Sequence, residues 1–115
     1  MSLSGQRLGI LDYGTGNLRS VEKAFLHLGA NVEIIISPDN LAEIDALVFP
    51  GQGTFDQCMD ALEKTGFSLA IKEWFQLGKP FLGVCLGLQV LFERSEEGQK
   101  PGLGILPGYV KKFSL

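Results

Sequence analysis

The chain has 115 residues, a length that predicts a single domain with a modest hydrophobic core. Hydrophobic residues make up 45% of it and charged residues 20%, which excludes a disordered or fibrous protein. A net charge of −3, with scattered lysines and arginines, gives no reason to expect nucleic acid or a membrane as a partner. Two cysteines and the lack of an apolar leader favour a reduced, cytoplasmic setting.

The first part of the chain alternates short apolar segments with an amphipathic one. Residues 8–13 predict a strand, and the following pattern predicts a helix that Asn17 caps and Gly29 ends. Residues 31–36 are rich in β-branched side chains and predict a second strand. Residues 41–44 predict a single helical turn before the third strand.

The same alternation continues through the second part. Residues 45–49 predict a strand that is buried on both faces. A helix ending near Gly66 follows, with one apolar stripe: Phe55, Cys58, Met59 and Leu62. Residues 67–77 predict another helix, and its expected inner face is Leu69, Ala70 and Trp74. Residues 81–84 predict the fourth strand, and a helix from the Cys85 turn to about Arg94 comes next.

Alternating strands and helices predict an α/β fold, a mostly parallel sheet with helices on both faces. Ligand sites in such sheets lie at the carboxyl ends of the strands. Three glycine-containing turns fall at those ends: residues 14–16, 50–53 and 83–87. Their convergence is the main functional clue.

The third turn places Cys85 between Gly83 and Gly87, where a strand is expected to turn into a helix. A nucleophile on such an elbow needs small neighbours, and a helix N-terminus lowers the pKa of a thiol. The alternative is a buried structural cysteine, which is the interpretation we give to Cys58 because it lies on an apolar helical stripe.

The other two turns allow more than one interpretation. The turn at residues 50–53 could supply backbone N–H groups that complete an oxyanion hole, or it forms an ordinary strand-to-helix loop. Residues 14–16 suggest a dinucleotide-binding turn, but the third glycine of that motif would fall at Arg19. We therefore expect no nucleotide cofactor. His27, the single histidine, is expected at the far end of the first helix, away from Cys85.

Four segments resemble the triad-type (class I) glutamine amidotransferases, and among them the amidotransferase subunits of imidazole glycerol phosphate synthase. They are residues 12–21, 50–59, 83–98 and 102–110. The fold implied is flavodoxin-like. The resemblance implies an enzyme that hydrolyses glutamine and needs no metal or other cofactor. Its ammonia would pass to a (β/α)₈-barrel cyclase subunit in a heterodimer, which makes imidazole glycerol phosphate for histidine biosynthesis.

The resemblance also assigns roles to particular residues. Cys85 would be the nucleophile, and the oxyanion hole would be formed by Gly51, Gly53 and Leu86. Gln89 and Glu93, one and two helical turns beyond Cys85, would contact glutamine. The partner interface would include Gly14, Gly16 and Asn17.

The family's catalytic histidine and glutamate belong to a C-terminal portion with no counterpart in this sequence. Residues 1–115 are therefore expected to be the N-terminal portion of a single amidotransferase domain, truncated at its C-terminus and inactive alone. An exposed sheet edge would favour self-association. Three alternatives stay open: an amidotransferase that supplies another acceptor such as a sugar, a cysteine-elbow hydrolase or chaperone, and a non-catalytic docking fragment.

Overall fold

A computed structural model describes residues 6–14, 18–51 and 53–111. Its main sheet is parallel throughout, with the strand order β2-β1-β3-β4. The strands are β1 (Arg7–Leu11), β2 (Asn31–Ile35), β3 (Ala46–Gly51) and β4 (Phe81–Cys85). The α-helices are α1 (Arg19–His27), α2 (Phe55–Thr65), α3 (Phe67–Gln76) and α4 (Leu86–Gln89). A small second sheet pairs β5 (Arg94–Ser95) with β6 (Tyr109–Val110).

The strand order determines which face each helix covers. From β1 the chain moves outward to β2, and from β3 it moves the opposite way to β4. Because parallel crossovers are right-handed, α1 lies on one face of the sheet, and α2 and α3 lie on the other. The predicted α/β fold with helices on both faces is confirmed. Among the described residues, every helix is too short or too polar to cross a bilayer.

The larger core lies between the sheet and the pair α2 and α3. The predicted stripe of α2 is confirmed, since its buried residues are Phe55, Cys58, Met59 and Leu62. The predicted inner face of α3 was wrong at Leu69, whose side chain is 64% exposed. Phe67, Ile71 and Trp74 are buried instead. Their i, i+4, i+7 spacing turns Leu69 outward.

The structure also corrects two smaller predictions. The helical turn between β2 and β3 is a 3₁₀ helix over Pro38–Leu41, earlier than expected, because Ser37 caps it and Pro38 starts it. Helix α1 begins after Leu18, without a side-chain cap; Asn17, the expected cap, lies outside the described residues.

The helix after Cys85 is much shorter than predicted. It ends at Gln89 instead of continuing to Arg94, and the N–H groups of Leu91 and Phe92 donate hydrogen bonds of the tighter i→i−3 kind. The carbonyls of residues 90–93 would accept from the next helical turn, but residues 102–106 donate to them at 2.7–3.1 Å. This tertiary pairing ends the helix. We call residues 97–106 the strap.

Helix α2 holds the start of the strap. The Asp56 carboxylate accepts hydrogen bonds from the backbone N–H groups of Gln99 and Lys100, at 2.9–3.0 Å. The ammonium of Lys100 forms ion pairs with Asp60 and Glu63. Farther along, a Cβ at Gly102 would lie 2.1 Å from the Phe92 carbonyl oxygen. The strap is therefore fixed to α2 at one end and to the segment after α4 at the other.

One edge of the sheet is apolar and open. Strand β4 is paired on one side, with β3, in the described sheet. Two of its apolar side chains, Leu82 and Val84, share one face of the sheet and are 50% and 37% exposed. Strand β2, at the other edge, carries Glu33, which pairs with Arg7. Charge protects an edge from pairing with another chain, so the expected self-association, which stays a prediction, concerns β4.

Acid unfolding tests whether the Asp56 carboxylate stabilises the protein by holding the strap. Hydrogen bonds from Lys100 and Gln99 lower the pKa of Asp56, so its contribution to stability is present at neutral pH. That contribution is lost as the pH falls through the native pKa, below 3.8. We expect Asp56→Asn to lower the urea midpoint at pH 7 and to flatten its decline between about pH 5 and 2. Glu73→Gln, which removes an exposed carboxylate of α3, is the control, and parallel acid declines in Asp56→Asn and the parent would contradict the account.

Candidate active site

The described parts of the three glycine-containing turns lie at the carboxyl ends of the strands. Gly14 follows β1, Gly51 ends β3, and Cys85 ends β4, and all three strands point the same way. Gly51 and Cys85 are the last aligned pair of β3 and β4. The convergence predicted from the sequence is confirmed, and the thiol of Cys85 is exposed there.

The backbone of Cys85 has an uncommon conformation. Its φ of 56° and ψ of −121° make it the single non-glycine residue with positive φ in the described parts of the chain. Such a conformation costs about 1–3 kcal/mol and persists where surrounding structure imposes it. Cys85 is both the end of β4 and the N-cap of α4, so the predicted strand-to-helix elbow is confirmed.

Close packing of α4 against β3 imposes this conformation. A Cβ at Gly87 would lie 2.0 Å from the Phe49 carbonyl oxygen, and one at Gly51 would lie 2.5 Å from the Gly87 nitrogen. At Gly83, a Cβ would lie 2.9 Å from the Gly87 carbonyl oxygen. The glycines that bracket Cys85 are thus required by backbone contacts on both sides of the elbow.

Tyr13 connects the first turn to the second, a role the sequence reasoning missed. Its side chain is buried, and its hydroxyl donates a 2.8 Å hydrogen bond to the Pro50 carbonyl. Its ring meets Phe49 edge-on, with 5.1 Å between ring centroids. The sequence offers one signal for this role: a tyrosine just beyond the end of an apolar strand. Such a residue is expected to be buried, and its hydroxyl then needs a hydrogen-bond partner.

The structure brings some of the expected oxyanion-hole residues together. Gly51 approaches Leu86, since a Cβ on Gly51 would lie 2.7 Å from the Leu86 Cβ. Gly53 has a φ of +95° and precedes Thr54, which forms a capping box with Gln57 at the start of α2. Gly53 thus leads directly into a helix N-terminus.

The two expected glutamine contacts are placed differently. Gln89 is half-buried on α4, one helical turn from Cys85 as predicted. Glu93 lies beyond the end of α4, so its predicted position two helical turns from Cys85 was wrong. Its exposed carboxylate accepts a 3.3 Å hydrogen bond from the Gly108 N–H, and its backbone carbonyl binds the Gly102 N–H.

The expected partner turn is described only in part. The Gly14 N–H donates to the Asp12 carboxylate at 3.0 Å, in a turn where Gly14 has a φ of +93°. Gly16 and Asn17 lie outside the described residues.

Cys58 and His27 are placed as the sequence predicted. Burial raises the pKa of the Cys58 thiol to about 11, although a hydrogen bond with Tyr13 opposes part of the shift. Cys58 is therefore a neutral core residue. His27 is exposed in the last turn of α1, a helix that runs back from the carboxyl edge of the sheet. It therefore lies near the amino ends of the strands, whereas Cys85 lies at a carboxyl end.

The parallel sheet and the strained elbow define an α/β protein whose third glycine-containing turn presents a cysteine. The family model "Glutamine amidotransferase class-I" matches residues 9–105, so the chain belongs to that family. The resemblance seen in the sequence is confirmed.

Three named relatives are similar to this chain over most of its length. "Imidazole glycerol phosphate synthase subunit HisH 2" of Parasynechococcus marenigrum is 48% identical over 111 residues, which are 96% of this chain and 52% of that protein. The HisH subunit of Synechococcus sp. (strain JA-3-3Ab) is 50% identical over 107 residues, 93% of this chain and 50% of that subunit. In Arabidopsis thaliana, "Imidazole glycerol phosphate synthase hisHF, chloroplastic" is 44% identical over 97% of this chain and 19% of its own length. The chain spans about half the length of its bacterial relatives.

Two solved structures share the fold. "Crystal structure of glutamine amidotransferase" has a TM-score of 0.75 at 23% identity, over 90% of this chain and 55% of that one. A putative peptidase E of Listeria monocytogenes has a TM-score of 0.67 at 23% identity, over 80% of this chain and 52% of that one. These likenesses concern the fold alone.

The contact between α4 and β3 yields a stability prediction. Gly87→Ala forces a methyl group against the Phe49 carbonyl, and we expect it to cost about 2 kcal/mol or more of unfolding free energy. Gly29→Ala is the control, because a Cβ added at Gly29 would have no non-neighbouring atom of the described residues within 4 Å, and only the φ of +86° is penalised, by about 1 kcal/mol. Urea denaturation measures both, and equal losses would contradict the packing argument.

Alkylation should separate the two thiols. At pH 8 we expect iodoacetamide to modify Cys85 readily, because that side chain is exposed. Cys58 should react only after denaturation, since a thiol with a pKa of about 11 is about 0.1% ionised at pH 8. Peptide mass spectrometry of the parent, Cys85→Ser and Cys58→Ser identifies each site. Rapid native modification of Cys58 would show that the described core is wrong.

Proposed function

We propose that this chain carries the nucleophile of a glutaminase, the amidotransferase subunit of imidazole glycerol phosphate synthase. The observation that carries the proposal is the strained backbone of Cys85, held by glycine contacts with its thiol exposed. Family membership and relatives 48–50% identical support it. We place the activity in the cytoplasm.

Cys85 would react in two steps. A general base takes the thiol proton, and the thiolate attacks the carboxamide carbon of glutamine. The C–N bond of the tetrahedral intermediate then breaks, and ammonia leaves as its nitrogen takes the proton from the protonated base. The product is a γ-glutamyl thioester. Water then attacks the thioester, glutamate leaves, and the thiol regains its proton.

Backbone donors would stabilise the oxyanion in both steps. We assign this role to the N–H of Leu86, at the start of α4, and to N–H groups between Gly51 and Gly53. Each such donor is worth about 3 kcal/mol in comparable sites. Gln89 would contact the bound glutamine from α4. The corresponding assignment of Glu93 depends on the resemblance alone, since its carboxylate binds the Gly108 N–H.

The general base must come from elsewhere. The sequence has one histidine, His27, which lies near the amino ends of the strands, away from Cys85. We propose that the base, a histidine oriented by a glutamate, lies outside these 115 residues. Loss of a triad member costs about 10⁴-fold or more in rate, so the chain alone would be almost inactive.

The ammonia would be consumed by a synthase partner. We propose a (β/α)₈-barrel cyclase subunit that receives ammonia through a channel and forms imidazole glycerol phosphate together with an aminoimidazole-carboxamide ribotide. The turn containing Gly14, Gly16 and Asn17 would face this partner. The names of the relatives support the assignment, because they describe subunits of imidazole glycerol phosphate synthase.

Active-site labelling tests the proposal. A glutamine analogue with a diazoketone in place of the carboxamide is applied to the longer protein that contains this chain, together with the synthase subunit. We expect one label per chain, on Cys85, and loss of glutamate production in step with labelling. Cys85→Ser should lower glutamine hydrolysis by about 10⁴-fold or more, and Cys58→Ser should leave it near the parent rate.

Two results would contradict the proposal. If the complete protein with its partner is not labelled at Cys85, this residue is not the nucleophile. If the 115-residue chain alone hydrolyses glutamine at the rate of the longer protein, the base lies within the chain.

A further inference from the structure

We infer that Tyr13 is a positioning residue for the second glycine turn: its hydroxyl fixes the Pro50–Gly51 peptide opposite Cys85. The inference deepens the proposed function and rests on it where it concerns rate. Its geometric part rests on hydrogen bonding in the sheet.

The hydrogen bonds of β3 show where the Pro50 carbonyl points. The Leu47 N–H donates to the Pro80 carbonyl, on the β4 side of the strand. Backbone groups of successive residues point to opposite neighbours, so those of Phe49 and Gly51 point toward β4. The Pro50 carbonyl therefore points toward β1.

Strand β1 is too short to receive this carbonyl. The last aligned pair of β1 and β3 joins Ile10 to Val48, and β1 ends at Leu11. Pro50 has no backbone N–H that needs a partner on this side of β3. Its carbonyl is buried and does need a hydrogen-bond donor. The Tyr13 hydroxyl donates to it at 2.8 Å, in the place that a further residue of β1 would have taken.

The planar peptide carries this constraint across β3. The carbonyl of Pro50 and the N–H of Gly51 belong to one rigid unit and point in opposite directions. Holding the carbonyl toward β1 holds the N–H toward β4, where Gly51 is aligned with Cys85. Since Tyr13 directly precedes Gly14, the same side chain connects the first turn with the second.

The experiment removes the hydroxyl and keeps the ring. Tyr13→Phe retains the edge-on contact with Phe49, and Tyr109→Phe is the matched control because Tyr109 is the other tyrosine and is exposed. Both variants are made in the longer protein that contains this chain, assayed with its synthase partner. We expect Tyr13→Phe to lower kcat for glutamine hydrolysis about tenfold, with KM within about twofold, the effect of one misplaced hydrogen bond. Tyr109→Phe should match the parent.

Hydrogen exchange provides a second readout that needs neither glutamine nor partner. In Tyr13→Phe, we expect faster amide exchange in the peptide that covers residues 51–54, and unchanged exchange in α3. Equal acceleration in α3 would mean that the hydroxyl acts through overall stability, and this outcome overturns the inference. So does unchanged exchange at residues 51–54, or a kcat equal to that of Tyr109→Phe in an active enzyme. Local acceleration in a protein without glutaminase activity would support the connection and refute the proposed function.

Discussion

The approach of α4 to β3 is the constraint on which the candidate site depends. Gly87 lies so close to the Phe49 carbonyl that no side chain fits between them, and a Cβ on Gly51, at the end of the same strand, would clash with the Gly87 nitrogen. With α4 held this near to β3, the chain leaves β4 through a residue of positive φ, Cys85. The same contact aligns the thiol with the end of β3, so the packing that strains the cysteine also places it.

The strap provides support from the other end of the elbow helix. Its N–H groups take the carbonyls that would have continued α4, and its start is bound by Asp56 of α2. The distinctive glycines of this segment thereby acquire a structural meaning, because Gly98 and Gly102 lie where a side chain would strike α2 or the segment after α4. The glycine-rich motif that begins at Gly102 helped to indicate the family. Its first residues therefore also hold the segment that follows α4.

Tyr13 shows how the edge of a parallel sheet can be completed without another strand residue. Strand β1 stops before β3 does, and a hydroxyl two residues past its end replaces the missing backbone donor. Since the first turn begins at the next residue, the proposed partner-facing turn and the proposed oxyanion turn share one buried contact. The described parts of the three turns are connected by Tyr13 on one side of β3 and by Gly87 on the other.

The sequence by itself determined the α/β alternation, the strand-to-helix elbow at Cys85 and the burial of Cys58, because each depends on local periodicity or on glycines next to a cysteine. Only the tertiary structure decided where α4 ends, which stripe of α3 is buried, and what Tyr13 contacts. The apolar pattern after Cys85 suits a longer helix, but distant N–H groups from the strap compete for its carbonyls, and no local pattern reports that competition. Glu93 was misplaced for this reason, whereas Gln89, within the first helical turn, was not.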